Sequence, residues 1–400
     1  MPGQPYFSRP SFFLFSACAF DDAESNPVGA EAQRELFAAR YDKAVTLYTR
    51  LLTEQPAATD AWYGLVRAEL GLRPSREAYA AAEEALRKAP QSAGAQTAAG
   101  LAMYRRGDLA KAEAHFRAAL RIKPDYPGVL VGLASVFSSV SMFKSARDLR
   151  LKAYSQSPND PELIAVYANT LNGSELIAKL EAALALCDPS SEKARNLGVL
   201  IANLRAAGQR KLRRLTGTYE DGHVKLFRIM DGPSRPRGVG VSLQFNGKQT
   251  AKLLLDTGAS GIALSPRLAE KAGLQVISGE ASETNGIGDG KAQVSVAYLA
   301  SEVRAGNVAF ADYPVSVFRS AQTADFDGLI GADVFEQFLV KIDFVQMAMS
   351  LEARPEGAAQ ASDELMDWNG KPAPGFIVFF DSAIIWQFRH LLTARIRICF

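Results

Sequence analysis

Residues 91–124 read QSAGAQTAAGLAMYRRGDLAKAEAHFRAALRIKP. Two alanine-rich stretches of helical periodicity lie on either side of Gly107-Asp108, which makes the turn between them. Pro124 stops the second stretch, because proline lacks an amide donor and clashes with the preceding turn. Gly100 is the small residue on the first helix, Phe116 fills the gap between the helices, and Ala119-Leu120 complete the inner stripe. Working outward, Pro56, Pro90, Pro124 and Pro158 repeat every 34 residues. Twelve residues before each stands Ala44, Ala78, Ala112 or Ala146, where paired helices must cross closely and a larger side chain would force them apart.

This register resembles the tetratricopeptide repeat, a helix pair stacked into an α-solenoid. A degraded fifth unit is expected to follow, with Gly173 at its turn, Ala178 and Ala185 on its second helix and Pro189 at its end. A basic amphipathic helix from Ser191 to Leu215 would cap the stack. The alternative is an ordinary helical bundle. The resemblance implies a concave groove that receives a protein or peptide partner.

Composition narrows the function classes. A chain of 400 residues has room for two or three domains. Lys and Arg number 45 against 43 Asp and Glu, a net charge of +2 that gives no electrostatic footprint for nucleic acid or an anionic membrane. Cys18, Cys187 and Cys399 are far apart, as are His115, His223 and His390, so a disulfide framework, a zinc cluster and a Ser/His triad lose support; neither metal nor cofactor is expected. No apolar run is long enough for a transmembrane segment. The run Ser11 to Ala17 followed by Cys18 resembles a bacterial lipoprotein signal, with export and a lipid anchor at Cys18 as its consequence. Against it stand the shortness of the run and the single preceding cation, Arg9, so a disordered start of a cytoplasmic protein stays open beside it.

After Leu215 the pattern changes to β-branched and aromatic residues broken by Gly, Pro and Asn. Gly238–Phe245 and Lys248–Leu255 flank Asn246-Gly247, a hairpin signal. The second run passes into Leu253-Leu-Leu-Asp-Thr-Gly-Ala-Ser-Gly261, an apolar strand ending in a carboxylate, a hydroxyl and a glycine. Here the chain resembles the retropepsin and pepsin families of aspartic proteases. Asp256, Thr257 and Gly258 match the catalytic motif, in which the threonine grips the partner lobe. Asn285-Gly-Ile-Gly-Asp-Gly290 matches the substrate flap, which makes Gly286, Ile287, Gly288, Asp289 and Gly290 substrate-binding by resemblance; an ordinary glycine-rich loop is the other reading. Val315–Phe318 is a further strand, and Phe326–Phe335 matches the family's hydrophobic-hydrophobic-glycine element beneath the catalytic turn. Phe338–Phe344 and Met347–Leu351 supply closing strands.

The expected architecture is multidomain, α then β. It has a signal-like or disordered start at 1–29, a solenoid of four to five repeats at 30–190, a capping helix at 191–215, an all-β retropepsin-like barrel lobe at 216–352 and a linker at 353–376. Residues 377–400 form an irregular tail, read as a truncated or frame-shifted second lobe. An aspartic peptidase needs two carboxylates sharing one proton, and the chain holds one Asp-Thr-Gly, so a homodimer or a partner lobe must bring the second. Asp327 and Asp333 are expected to serve a turn and a helix start, and Asp381, in Phe-Phe-Asp-Ser-Ala, lacks the glycine. Three functions follow: an endopeptidase whose repeats bind substrate or partner, a binding module that has kept the protease fold without hydrolysis, and a scaffold in which the solenoid is the whole function.

Overall fold

The computed structural model describes residues 26–72, 75–171, 173–208, 210–216, 221–231, 235–256, 259–284, 293–318, 326–353 and 396–397. The signal-like start, the proposed linker and nearly all of the tail, Asp381 included, lie outside the described residues.

Helices come first, in pairs: α1 Pro27–Phe37 with α2 Tyr41–Glu54, α3 Ala61–Leu72 with α4 Arg76–Lys88, α5 Ala93–Arg105 with α6 Leu109–Ile122, α7 Pro127–Ser139 with α8 Phe143–Gln156, and α9 Pro161–Ala168 with α10 Gly173–Ala185. α11, Glu192–Ala207, follows them. Each of the four repeating prolines stands two residues beyond the end of a second helix. Ala44, Ala78, Ala112 and Ala146 are all fully buried, which is the close crossing that their spacing requires. Phe116 shows the volume constraint most plainly. A Cβ on Gly100 would come within 2.5 Å of its ring and one on Gly132, in the next pair, within 2.3 Å. The ring is therefore clamped between two bare backbones.

The fifth pair departs from expectation. Ala178 and Ala185 lie on α10 but are exposed. The buried residues of α10 are Leu180 and Ala183, and Cys187 is buried just beyond it; Leu180 and Cys187 stand 34 residues after Ala146 and Ala153, so the register persists with larger side chains at those two positions. α11 is also shorter than expected. Gly208, at φ 65°, ends it, and Arg214–Thr216 is a strand, β1.

The stack curves until its first and fifth pairs meet. Asp188 donates its backbone N–H to the carbonyl of Ala38 at 2.8 Å. Nearby, its carboxylate lies 3.5 Å from Arg40. Deeper in the concave side, Arg67 on α3 reaches Asp160 at 2.7 Å and Glu162 at 3.0 Å, and Lys193 on α11 reaches Glu162 at 3.0 Å. Lys193, and Arg67 beside it, hold the Glu162 carboxyl well below the usual carboxylate range, although half of its side chain is exposed.

The β region is β2 Asp221–Asp231, β3 Arg235–Phe245, β4 Gln249–Asp256, β5 Ile262–Leu264, β6 Gln275–Thr284, β7 Gln293–Ala305, β8 Val308–Phe318, β9 Gly328–Gly331, β10 Phe338–Asp343, β11 Ala348–Ala353 and β12 Ile396–Arg397, with a short helix α12 at Pro266–Lys271. Their order in the sheet is β12-β10-β11-β2-β3-β4-β9-β5-β8-β7-β6. β1 lies on β8, and pairing of β3 with β7 at Gln244↔Arg304 and Phe245↔Val303 curls the sheet around one core. Phe245, Leu253, Ile262, Phe310, Tyr313, Ile330 and Phe335 fill that core. Asn246 and Gly247 have φ of 52° and 66°, the left-handed pair that a tight hairpin turn with the twist of its strands demands. β2 and β6 were not foreseen from the sequence.

Two substitutions test the solenoid's packing by thermal or urea denaturation. Ser141 has φ 64° and a buried hydroxyl with no hydrogen-bond partner among the described residues, so Ser141→Gly should raise stability by about 1 kcal/mol. Phe116→Ala should lower it by about 3–5 kcal/mol.

Candidate functional site

Asp256 is the last residue of β4. Inward-facing Ala251 and Leu253 are fully buried, and they anchor a strand that is flanked on both sides. β3 runs antiparallel on one side, and β9 runs parallel on the other with Asp256 opposite Gly331. Pairing with β3 ends at Leu254 and pairing with β9 runs on to Asp256, so the carboxylate leaves a backbone held on one edge by Gly331, and Asp256 itself is half-buried.

Beyond Asp256 the chain turns back, with the Ala259 N–H donating to the Asp256 carbonyl at 3.1 Å. The turn is tied to the segment after β9. The Gly331 N–H donates to the Gly261 carbonyl at 2.7 Å. Asp333 accepts from the Gly261 N–H with one oxygen and from the Ser260 hydroxyl with the other, both at 2.7 Å. This crossing is tight. A Cβ at Gly331 would sit 2.4 Å from the Ala259 carbonyl oxygen and 2.5 Å from Asp333 Oδ1, so glycine is the residue that lets the two segments touch.

Asp327 and Asp333 therefore bracket β9. At its start the Asp327 N–H donates to the Lys252 carbonyl at 2.7 Å, while its carboxylate accepts from the Lys252 N–H at 2.8 Å. Asp327 is the turn residue that was expected. Asp333 is more than a helix start. It lies in the first turn of the 3-10 helix Ala332–Phe335, where Gly331 holds the N-cap position, and its carboxylate reaches across to the loop that follows Asp256. No spacing in the sequence links Asp333 to Ser260 and Gly261, because the contact spans 72 and 73 residues.

Of the residues assigned by resemblance, Asp256 is described at a strand end. Thr257 and Gly258 lie outside the described residues, as do Gly286, Ile287, Gly288, Asp289 and Gly290. β6 and β7 pair antiparallel on either side of that second stretch, with Thr284 opposite Gln293.

The solenoid carries a second concavity, lined by Tyr63, Arg67, Lys123, Tyr126, Asp160 and Leu163 among others. Tyr63 and Tyr126 meet edge to face at 5.7 Å, and Lys123 lies over the Tyr126 ring and 3.4 Å from Asp60. Its cations and carboxylates are already matched with one another. Among the described residues no helix is long and apolar enough to cross a membrane.

Loss of the Asp333 carboxylate leaves the Gly261 N–H and the Ser260 hydroxyl without their acceptor. Asp333→Ala should therefore cost about 2–3 kcal/mol in urea unfolding, and Asp333→Asn, which keeps an acceptor for the Gly261 N–H, should cost less.

Family models match segments in both regions of the chain. A search of curated proteins returns no match. Among solved structures the chain is similar to the APC/C hetero-tetramer Cut9–Hcn1, with 13% identity, 44% of this chain and 42% of that one covered, and a TM-score of 0.36. It is similar to TTC0263, a thermophilic TPR protein of Thermus thermophilus, with 24% identity, 46% and 98% covered, and a TM-score of 0.33. It is also similar to PilW, a type IV pilus biogenesis factor, with 18% identity, 47% and 89% covered, and a TM-score of 0.30. The chain thus spans less than half the length of the first of these. Residues 30–73 and 65–127 match the family model for the tetratricopeptide repeat, and residues 241–334 match that for aspartyl protease. The chain accordingly joins tetratricopeptide repeats over residues 30–127 to an aspartyl protease-like domain over residues 241–334.

Proposed function

We propose that this chain is an aspartic endopeptidase in which Asp256 is one half of the catalytic dyad. The observation that carries this reading is the position of Asp256, at the end of a strand enclosed by β3 and β9 and followed by Thr257-Gly258. A strand paired on both sides as far as Leu254, and on one side through Asp256, presents a carboxylate in one place, which is what general acid–base chemistry requires. Two such carboxylates close together share one proton. One takes a proton from the attacking water while the other, protonated, polarises the scissile carbonyl; the carbonyl oxygen gains the proton as the water oxygen bonds to carbon. The chain holds one Asp-Thr-Gly, so the second carboxylate comes from another copy or from a partner lobe. Thr257 and Gly258 complete the catalytic turn. Residues Gly286, Ile287, Gly288, Asp289 and Gly290 contact the substrate, a peptide or unfolded protein, and the solenoid binds substrate or a protein partner.

The single Asp-Thr-Gly also supports a second reading, a protease fold kept for peptide binding without hydrolysis, or a scaffold that acts through its repeats alone.

Incubation of the purified full chain with an unstructured polypeptide, analysed by mass spectrometry, separates these readings. Cleavage should rise toward acidic pH, where a shared proton is retained, and should be blocked by a transition-state mimic. It should grow faster than linearly with enzyme concentration while the active dimer is assembling. Asp256→Asn should reduce cleavage by at least about 10³-fold with an unchanged unfolding midpoint. Cleavage that survives this substitution assigns the chemistry elsewhere, and a strictly monomeric chain without cleavage favours the binding module.

A further inference from the structure

Helix α11 is joined to both halves of the chain. In its first turn the Lys193 ammonium lies 3.0 Å from Glu162, which also meets Arg67 at 3.0 Å. Arg67 in turn lines the solenoid's groove together with Asp160. Three residues further along α11, Asn196 engages β6 as a neighbouring strand would. Its Nδ2 donates to the Glu283 carbonyl at 3.2 Å, and its Oδ1 accepts from the Glu283 N–H at 3.1 Å. Two turns on, Asn203 accepts from the Ser278 hydroxyl at 2.6 Å. A spacing of seven residues places both asparagines on one face of the helix.

The choice of β6 has a physical reason. It is the last strand of the sheet and pairs with β7 along one edge. Its other edge presents backbone groups that must find a partner in water, in a foreign strand or in this chain. Asn196 supplies both a donor and an acceptor to one residue of that edge, near the end of the strand. Asn203 reaches the stretch in which the pairing register shifts, between Val276 and Ala281. α11 therefore holds the end strand at two points about 10 Å apart along a stiff rod. The same rod is fastened at its start to the charges that close the solenoid.

We propose that α11 couples the solenoid's groove to the barrel: a change in the Arg67–Glu162–Lys193 contacts alters how Asn196 and Asn203 hold β6, and thereby regulates the site built around Asp256. The regulatory half rests on the peptidase reading; the mechanical half does not. Coupling of this kind needs a continuous physical path and an element that responds as a body. The charges, the helix and the two asparagines form such a path from the groove as far as β6 and, through strand pairing, β7. The tetratricopeptide region is then a fixed wall of the barrel rather than a tethered recruiting arm. Asn196 and Asn203 are positioning residues, acting through β6 and the β7 strand paired with it.

Hydrogen exchange on the full chain, followed in peptides spanning 276–284, tests the mechanical half. Asn196→Ala should accelerate exchange there by about tenfold, and Glu162→Gln, remote from β6, by about fivefold, the range that a coupling of this size supports. Lys193→Gln should act as Glu162→Gln does, and it replaces that variant should loss of the carboxylate unfold the solenoid. Exchange in 276–284 that stays at the wild-type rate in both Glu162→Gln and Lys193→Gln, while α9 and the start of α11 respond, overturns the coupling. An unchanged rate in Asn196→Ala overturns the docking itself. Where the wild-type chain cleaves peptide, Asn196→Ala should raise KM at nearly constant kcat, and Asn196→Asp, which keeps the acceptor and loses the donor, should fall between. A wild-type chain that cleaves nothing, yet shows the exchange effects, defeats the peptidase reading and leaves the coupling standing.

Discussion

The barrel depends on one crossing, where β4 and the turn after it meet β9. β4 pairs with β3 over Gln249–Leu254 and with β9 over Leu253–Asp256, and the turn beyond Asp256 has to reverse against a second backbone at a distance that admits no side chain at Gly331. Two carboxylates make the crossing stable. Asp327 satisfies the N–H of Lys252 at one end of β9, and Asp333 satisfies Gly261 and Ser260 at the other. Each accepts from a backbone N–H of the neighbouring segment, so the short β9 holds its place between β4 and β5 despite having four residues. Asp256 inherits its position from this arrangement.

The solenoid obeys a different constraint, that of volume. Its helices approach closely because a small residue recurs at every crossing, and where a ring enters, as at Phe116, glycines on the neighbouring helices make room. Repetition of one geometry makes the stack curve. Here the curvature brings the first pair against the fifth, and the concave side is crossed by Arg67, Asp160, Glu162 and Lys193. Pairing within the groove leaves no cation or carboxylate of that set waiting for a ligand. A charged group that enters must compete with contacts already made.

Between the two regions lies α11. Its outer asparagines speak to the backbone of β6 and its first turn to the solenoid's charges, so one helix closes a stack and covers a sheet edge. Solenoids need a cap and sheets need an edge cover. A single amphipathic helix between them meets both needs.

The amino-acid sequence by itself determined the repeats, because a fixed period of proline and alanine is a local requirement repeated along the chain; Ala44, Ala78, Ala112 and Ala146 are buried as that period demands. It determined the hairpin at Asn246-Gly247 and the strand end at Asp256 for the same reason, since backbone conformation and alternation are written in neighbouring residues. It placed the fifth pair but did not single out Leu180, Ala183 and Cys187, the buried residues that hold it, and it ran α11 on into a strand. Tertiary structure alone decided the rest. Asp333 at the turn after Asp256, Arg67 at Glu162 and Asn196 at Glu283 are contacts across 72 to 95 residues, and each depends on where the backbone has carried two distant segments. A carboxylate or a carboxamide looks the same in a sequence whether it faces solvent or holds a strand; only the fold, by bringing a distant donor or acceptor within reach, gives it a partner.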